Sequence, residues 1–128
     1  MFSTLEFWVW VATALLVVGY GMAGFMKGFG PVAKVQSSMA WAKTSSPALI
    51  RFIGIVEVAG AIGLVLPVLT GILPWLTPLA AAGLALLQLL AIPVHVRVGD
   101  IKQSWPINLA FLGLSLFVLW ARSGLFHS

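Results

Sequence analysis

The sequence predicts an all-α integral membrane protein, a four-helix bundle with a short amphipathic interfacial helix between the first and second spanning helices. Of the 128 residues, 61% are hydrophobic and 8% are charged, whereas soluble domains are roughly one quarter charged. Four separate stretches are apolar over the roughly 20 residues that a helix needs to cross the hydrocarbon core. The whole chain, residues 1–128, is therefore expected to be a single transmembrane domain.

Local signals place the ends of the four spanning helices. The stretch "STLE", Ser3–Glu6, has the pattern of a helix-initiating capping box. Prolines break or begin helices at little cost, and five of them lie in or beside the connections: Pro31, Pro47, Pro67, Pro74 and Pro106. The predicted helices cover about residues 5–26, 48–66, 75–96 and 106–122.

The first connection is the only long one. Its apolar residues Val32, Val35, Met39 and Ala42 recur at helical spacing, with Lys34 between them. This pattern predicts an amphipathic helix on the membrane surface at about residues 31–43. A flexible loop is an equal alternative because the amphipathic pattern is modest.

Basic residues give the expected orientation. With four crossings, both termini and the second connection share one side, where the only basic residue is Arg122. The other side holds six basic residues: Lys27, Lys34, Lys43, Arg51, Arg97 and Lys102. Lysine and arginine are enriched in cytoplasmic loops, so we expect that side in the cytoplasm and both termini outside.

Polar residues occur at two matching depths in the four helices. At about 1.5 Å per residue, one residue of each helix lies near the cytoplasmic boundary of the membrane: Lys27, Arg51, His95 and Asn108. A second layer lies six or seven residues deeper: Tyr20, Glu57, Gln88 and Ser115. Polar side chains in a membrane turn toward the bundle interior because lipid offers them no partners. We therefore expect a polar pocket between the helices, open to the cytoplasmic side.

Glu57 is the most informative of these residues. A carboxylate at a helix centre costs roughly 2.5 to 3.5 kcal/mol on insertion scales, so it persists with a partner or a function. We predict catalytic roles for three residues: Glu57, His95 and Lys27. Glu57 and His95 would exchange protons, and Lys27 would stabilise negative charge on an oxygen. The predicted ligand-binding residues are Arg51, Asn108, Tyr20 and Gln88.

Structural explanations exist for the same residues. Glu57 could form an ion pair with Lys27 or Arg51 that only holds helices together. Basic residues at helix ends commonly extend to the surface. For Asn108, Gln88, Tyr20 and Ser115, interhelical hydrogen bonds are favoured over a chemical role.

Several kinds of chemistry are not expected. The chain has no cysteine, so it cannot perform thiol or disulfide chemistry by itself. His95 has no second histidine near it, because His127 lies at the opposite side; we expect no metal site and do not favour haem. The basic loops are short and close to the membrane, so we do not expect a nucleic-acid partner.

Four segments together resemble the DoxX-like family: "GFMKGFGP", "RFIGIVEVAGAIGLVLP", "PWLTPLAAAGLALLQLLAIPVHVRVGD" and "INLAFLGLSLFVLWAR". The resemblance implies a four-helix bundle in the bacterial inner membrane. Five residues match the recurring polar positions of that family: Lys27, Arg51, Glu57, His95 and Asn108. Some members of the family are associated with quinone-linked oxidoreductases or with complexes that handle oxidative and thiol stress, which implies a quinone-like ligand and an oxidoreductase partner subunit. Others resemble membrane chaperones or have no assigned activity, so the resemblance implies the fold more strongly than the function.

The leading hypothesis is a membrane subunit of an oxidoreductase system that binds a small lipophilic, quinone-like ligand in the polar pocket. One alternative is a self-contained proton-transfer enzyme, such as an isomerase or hydratase, acting on a hydrophobic substrate. Another is a scaffold or assembly factor in which the buried charges specify helix pairing. The sequence leaves open the ligand, enzymatic activity, partner subunits and homo-oligomer formation.

Overall fold

The computed structural model describes residues 3–39, 42–43, 45–99 and 101–127. These residues form five α-helices and no strand: α1 (Thr4–Phe29), α2 (Val32–Ser38), α3 (Pro47–Thr70), α4 (Leu76–Val98) and α5 (Ile101–Arg122). A 3₁₀ turn, Ser123–His127, follows α5. The prediction of an all-α four-helix bundle is confirmed.

The four long helices form a ring in the order α1, α3, α4, α5, and each packs against the helices before and after it. We call the end where α1 and α4 finish and α3 and α5 begin the basic end, and the opposite end the terminal end. Side chains from all four helices fill the centre of the ring: Leu16, Leu64, Leu84 and Val118. The polar layers described above lie between this core and the basic end.

Most of the apolar surface faces outward. Within the described residues, four helices are long and apolar enough to cross a membrane, and only 11% to 33% of their most apolar windows is buried inside the bundle. Exposed side chains include Val18, Met22, Phe52 and Leu69. A surface of this kind needs lipid around it, so the protein is a multi-pass membrane protein in a bilayer.

Helix α3 does not end at Pro67, and the predicted end near residue 66 was wrong. Proline has no N–H, so the carbonyl of Gly63 loses its intrahelical donor. The buried hydroxyl of Thr77 in α4 donates to that carbonyl at 2.9 Å. The helix therefore continues to Thr70 and ends at Gly71, whose φ of 71° suits glycine.

Helix α5 also begins earlier than predicted, at Ile101 rather than near residue 106. Pro106 lies in its second turn and is exposed. The lost hydrogen bond there involves the carbonyl of Lys102, close to the helix start, where the cost of a proline is low.

The short helix α2 covers less of the first connection than predicted. Its Val35 is fully buried against Ile50 of α3, with Met26 of α1 beside them. Lys34 lies on the exposed side. The apolar side of α2 therefore packs on the bundle itself. Its position at the membrane interface stays a prediction, and residues 40–41 of the predicted range lie outside the described residues.

A salt bridge joins α1 to α5 at the terminal end. Ser3 caps α1, its Oγ accepting from the N–H of Glu6 at 3.0 Å. The carboxylate of Glu6 does not complete the predicted capping box, because it pairs with Arg122 at 2.8 Å. The guanidinium of Arg122 also lies 5.1 Å from the centre of the Trp10 ring. We call Glu6 and Arg122 the terminal pair.

Candidate functional site

Helices α1 and α3 touch through their backbones near the basic end. A Cβ at Gly24 would lie 2.8 Å from the carbonyl oxygen of Gly54 and 2.9 Å from Cβ of Glu57. A Cβ at Gly54 would collide with the backbone nitrogen of Gly28. Small residues allow membrane helices to approach this closely. Here they determine how near the neighbouring side chains of α1 and α3 come to each other.

This contact brings Lys27 and Glu57 together. Each follows a contact glycine by three residues, so the two side chains extend toward one another from facing helices. Lys27 Nζ lies 2.7 Å from Glu57 Oε1, and the two side chains are 12% and 5% exposed. Burying two charges is costly unless they pair closely. We call Lys27 and Glu57 the inner pair.

Arg51 lies apart from the inner pair. Its Nη1 donates to the backbone carbonyl of Lys27 at 3.3 Å, and it forms no ion pair with Glu57, whose side chain is also described. That carbonyl belongs to the last turn of α1, where helices leave carbonyls without intrahelical donors and attract cations. Arg51 therefore binds the end of α1, and of the two ion-pair partners considered for Glu57 the structure uses Lys27.

A cavity of about 530 Å³ lies between the four long helices beside the inner pair. Its polar lining consists of six residues: Tyr20, Lys27, Glu57, Gln88, His95 and Asn108. The remaining lining is apolar or glycine. Six of the seven residues proposed from the sequence thus share one cavity, and Arg51 is the exception. Their functional roles stay predictions.

A buried polar cluster lies at the deep end of the cavity, where Tyr20 and Gln88 line the space and Ser115 lies behind them. The Tyr20 hydroxyl donates to the carbonyl of Leu84 at 3.4 Å, a long hydrogen bond, and faces Gln88 and Ser115. Among the described residues, Gln88 Oε1 and Ser115 Oγ are buried without a hydrogen-bond partner. Buried polar atoms are almost always paired, so these two atoms are exceptional.

His95 and Asn108 line the part of the cavity nearest the basic end. Asn108 is buried and His95 is half-buried. In the part of the chain that the structure describes, no three histidine, aspartate or glutamate side chains lie close enough to hold a metal ion. The polar groups of this cavity are therefore hydrogen-bond donors, acceptors and one ion pair.

Comparison with known proteins decides the family. The sequence profile of the DoxX-like family matches residues 11–118. The chain belongs to the DoxX-like family. The match includes every residue that lines the cavity, all of α3 and α4, and most of α1 and α5. No curated protein and no solved structure gives a significant match.

The mouth of the cavity in this DoxX-like protein was not foreseen from the sequence. Four of its lining residues are exposed and all are apolar: Leu49, Phe52, Leu90 and Ile107. Three of them lie on α3 and α4. Residues at the mouth are apolar, as lipid-facing residues are, so the sequence does not distinguish the two. Only the packing of the helices shows which apolar residues line the cavity.

Proposed function

We propose that this DoxX-like protein binds a small lipophilic molecule with a polar head in the cavity between its four long helices. The observation that carries the proposal is the convergence of six polar side chains, one or more from each helix, on a space of about 530 Å³. Ligand cavities commonly have volumes of about 300–1,000 Å³, with mostly apolar walls and a few polar groups. Gln88 Oε1 is buried and has no hydrogen-bond partner among the described residues, which supports a ligand over simple helix packing.

The inner pair would meet the polar head of the ligand. Lys27 Nζ carries a positive charge and lines the cavity, so it can stabilise negative charge on a ligand oxygen. Glu57 and His95 line the same cavity, and we retain them as the proton-exchanging groups. Tyr20, Gln88 and Asn108 would orient the head. Arg51 leaves the proposed ligand set because it binds the end of α1.

The exposed apolar lining supports entry from the bilayer. Leu49, Phe52 and Leu90 would contact acyl chains, so a lipophilic ligand could enter sideways between α3 and α4 without crossing water. In this proposal the ligand enters from the bilayer, whereas the sequence led us to expect a pocket open to the cytoplasmic side. The proposed orientation is unchanged, with the basic end in the cytoplasm of a bacterial inner membrane.

The family resemblance supports a quinone-like ligand and a role as the membrane subunit of an oxidoreductase system. A quinone ring with a short tail has the shape that the cavity needs, an apolar body with oxygens at the edge. The alternative of a self-contained proton-transfer enzyme uses the same Glu57 and His95. Turnover by the purified protein alone, with a bell-shaped pH profile, would favour that alternative.

One observation favours a second candidate function, a scaffold. The inner pair lies beside a close backbone contact between α1 and α3, where Gly24 and Gly28 meet Gly54. A buried ion pair at such a contact can specify which helices associate. In a scaffold the pair would matter for assembly, and filling the cavity would change nothing that the protein does.

Native mass spectrometry of gently extracted protein tests the proposed function. The wild type should retain a lipophilic molecule, and Ala91→Phe should retain much less, because Ala91 lines the cavity and a phenyl ring would fill it. Ala110→Phe is the matched control, since Ala110 is exposed on α5 and does not line the cavity. Equal retention by both variants, with equal thermal stability, would contradict the proposal.

A further inference from the structure

We propose that the deep end of the cavity is a hydroxyl-binding subsite that selects ligands with an alcohol or phenol head over ligands whose head oxygen carries no hydrogen. The inference rests on the proposed function and specifies the class of its ligand. It is carried by two neighbouring side chains, Gln88 and Tyr20.

Gln88 requires a donor. The residue is 8% exposed and lines the cavity, and its Oε1 has no hydrogen-bond partner among the residues described. A buried acceptor left unpaired keeps the full cost of its desolvation, and only an N–H or O–H group can satisfy it. A ligand that brings such a hydrogen to Oε1 removes this cost on binding.

Tyr20 provides the complementary donor. Its hydroxyl has a single hydrogen, which it shares with the Leu84 carbonyl over a long 3.4 Å contact. Hydrogen bonds weaken at this length, so the hydroxyl loses little when it turns to a ligand oxygen. The Tyr20 ring is fixed by burial and by Phe111, whose ring centre is 5.2 Å away. The donor is therefore held in position while its hydrogen can turn.

A ligand hydroxyl satisfies both groups at once. It donates to Gln88 Oε1 and accepts from the Tyr20 hydroxyl, whereas an ether or ketone oxygen can only accept. An ether or ketone oxygen in the same place would bring its lone pairs close to those of Gln88 Oε1, and the two acceptors would repel each other. Sites that hydrogen-bond a hydroxyl reject analogues lacking it far more strongly than apolar pockets discriminate by size. For a quinone-like ligand, the subsite therefore favours the reduced form, which carries hydroxyl groups.

Binding of 4-nonylphenol and 4-nonylanisole tests the subsite, because the two probes differ only by methylation of the head oxygen. The full-length protein is placed in lipid nanodiscs, and protein-free discs give the partition into lipid that is subtracted. The wild type should bind the phenol at least about tenfold more tightly than the anisole, a difference of about 1.4 kcal/mol.

Two variants separate the role of Gln88 from that of Tyr20. Gln88→Leu should abolish the preference, because the acceptor is gone, and Gln36→Leu is the matched control, since Gln36 lies on α2 and does not line the cavity. Tyr20→Phe should weaken both probes by a similar factor and keep their ratio, because both oxygens accept from Tyr20. Gln88→Met replaces Gln88→Leu if the leucine variant does not fold.

The outcomes separate the subsite from the proposed function. Equal, specific binding of phenol and anisole by the wild type would overturn the subsite and leave the proposed ligand cavity standing. A preference that persists in Gln88→Leu, or a reversed preference for the anisole, would also overturn it. If neither probe binds beyond the protein-free discs, the proposed function fails, and the subsite fails with it.

Discussion

Two spaces of nearly equal volume lie in opposite halves of the bundle and differ completely in chemistry. The space near the basic end, about 530 Å³, is lined by six polar side chains. The space nearer the terminal end, about 520 Å³ between α3 and α4, is lined only by apolar residues, glycine and proline. In a bilayer an apolar groove accepts any acyl chain, whereas a polar cavity requires a complementary head group. Volume alone therefore does not identify a site in this protein.

The two halves also differ in how their polar groups are satisfied. In the terminal half, the buried hydroxyls of Thr13 and Thr77 each donate to a backbone carbonyl. In the basic half, Gln88 Oε1 has no partner within the described segments. An interhelical salt bridge lies in each half, and the acid of the inner pair is 5% exposed while that of the terminal pair is 34% exposed. Pairing a carboxylate with a basic side chain is thus costly in one half and inexpensive in the other.

The largest effect is expected from breaking the inner pair. Lys27→Met leaves the Glu57 carboxylate buried without its cation, which typically costs about 3–5 kcal/mol. The free energy of unfolding, measured by denaturant titration in detergent, should fall by that amount. A loss below about 1 kcal/mol would mean that the pair is effectively solvated, and the contrast with the terminal pair would disappear.

A smaller loss is expected from the glycine contact that positions the inner pair. Gly54→Ala introduces a Cβ against the backbone of Gly28 and should cost about 2–3 kcal/mol through forced separation of α1 and α3. Gly113→Ala is the control, because nothing lies within 4 Å of a Cβ there. Equal unfolding free energies for the two variants would show that the helices are not packed so closely.

Thr77 tests the satisfied polar groups of the terminal half. Thr77→Val leaves the Gly63 carbonyl without its donor and should cost about 1–2 kcal/mol. In a Pro67→Ala background the restored N–H can bond to Gly63, so the same substitution should cost less. The coupling is measured by a double-mutant cycle, and strictly additive effects would contradict the proposed compensation.

The smallest effect is expected for the terminal pair. Glu6→Gln removes an ion pair whose acid is about one-third exposed, and pairs of this kind contribute about 0–1 kcal/mol. Arg122→Gln should cost somewhat more, because it also removes the contact with the Trp10 ring. Thermal midpoints of the two variants test this order. If Glu6→Gln lowered the stability as much as Lys27→Met, the contribution of an ion pair in this protein would not depend on its exposure.

The fold and the depth of the polar layers could be predicted because both depend on fixed distances. Apolar length gives the crossings, and a constant rise per residue gives the depth. Tyr20 and Lys27, or Gln88 and His95, are seven residues apart and share a helix face. Both members of each pair line the space near the basic end.

Arg51 shows where depth is not enough. It precedes Glu57 by six residues, which turns it about 120° away around the helix at 3.6 residues per turn. It therefore lies at a suitable depth but on another face, where it meets the end of α1. Pro67 shows a second limit, since the donor that lets α3 continue is Thr77 of another helix. Both outcomes depend on packing between helices.

The central claim is that the inner pair belongs to a ligand site and does more than join two helices. The deciding measurement is ligand retention and unfolding free energy of the double variant Lys27→Met/Glu57→Leu, read by native mass spectrometry and denaturant titration. Replacing both charges with apolar groups removes the unpaired charge, so we expect stability close to that of the wild type with loss of the retained lipophilic molecule. A stable double variant that retains that molecule at the wild-type level would contradict the account.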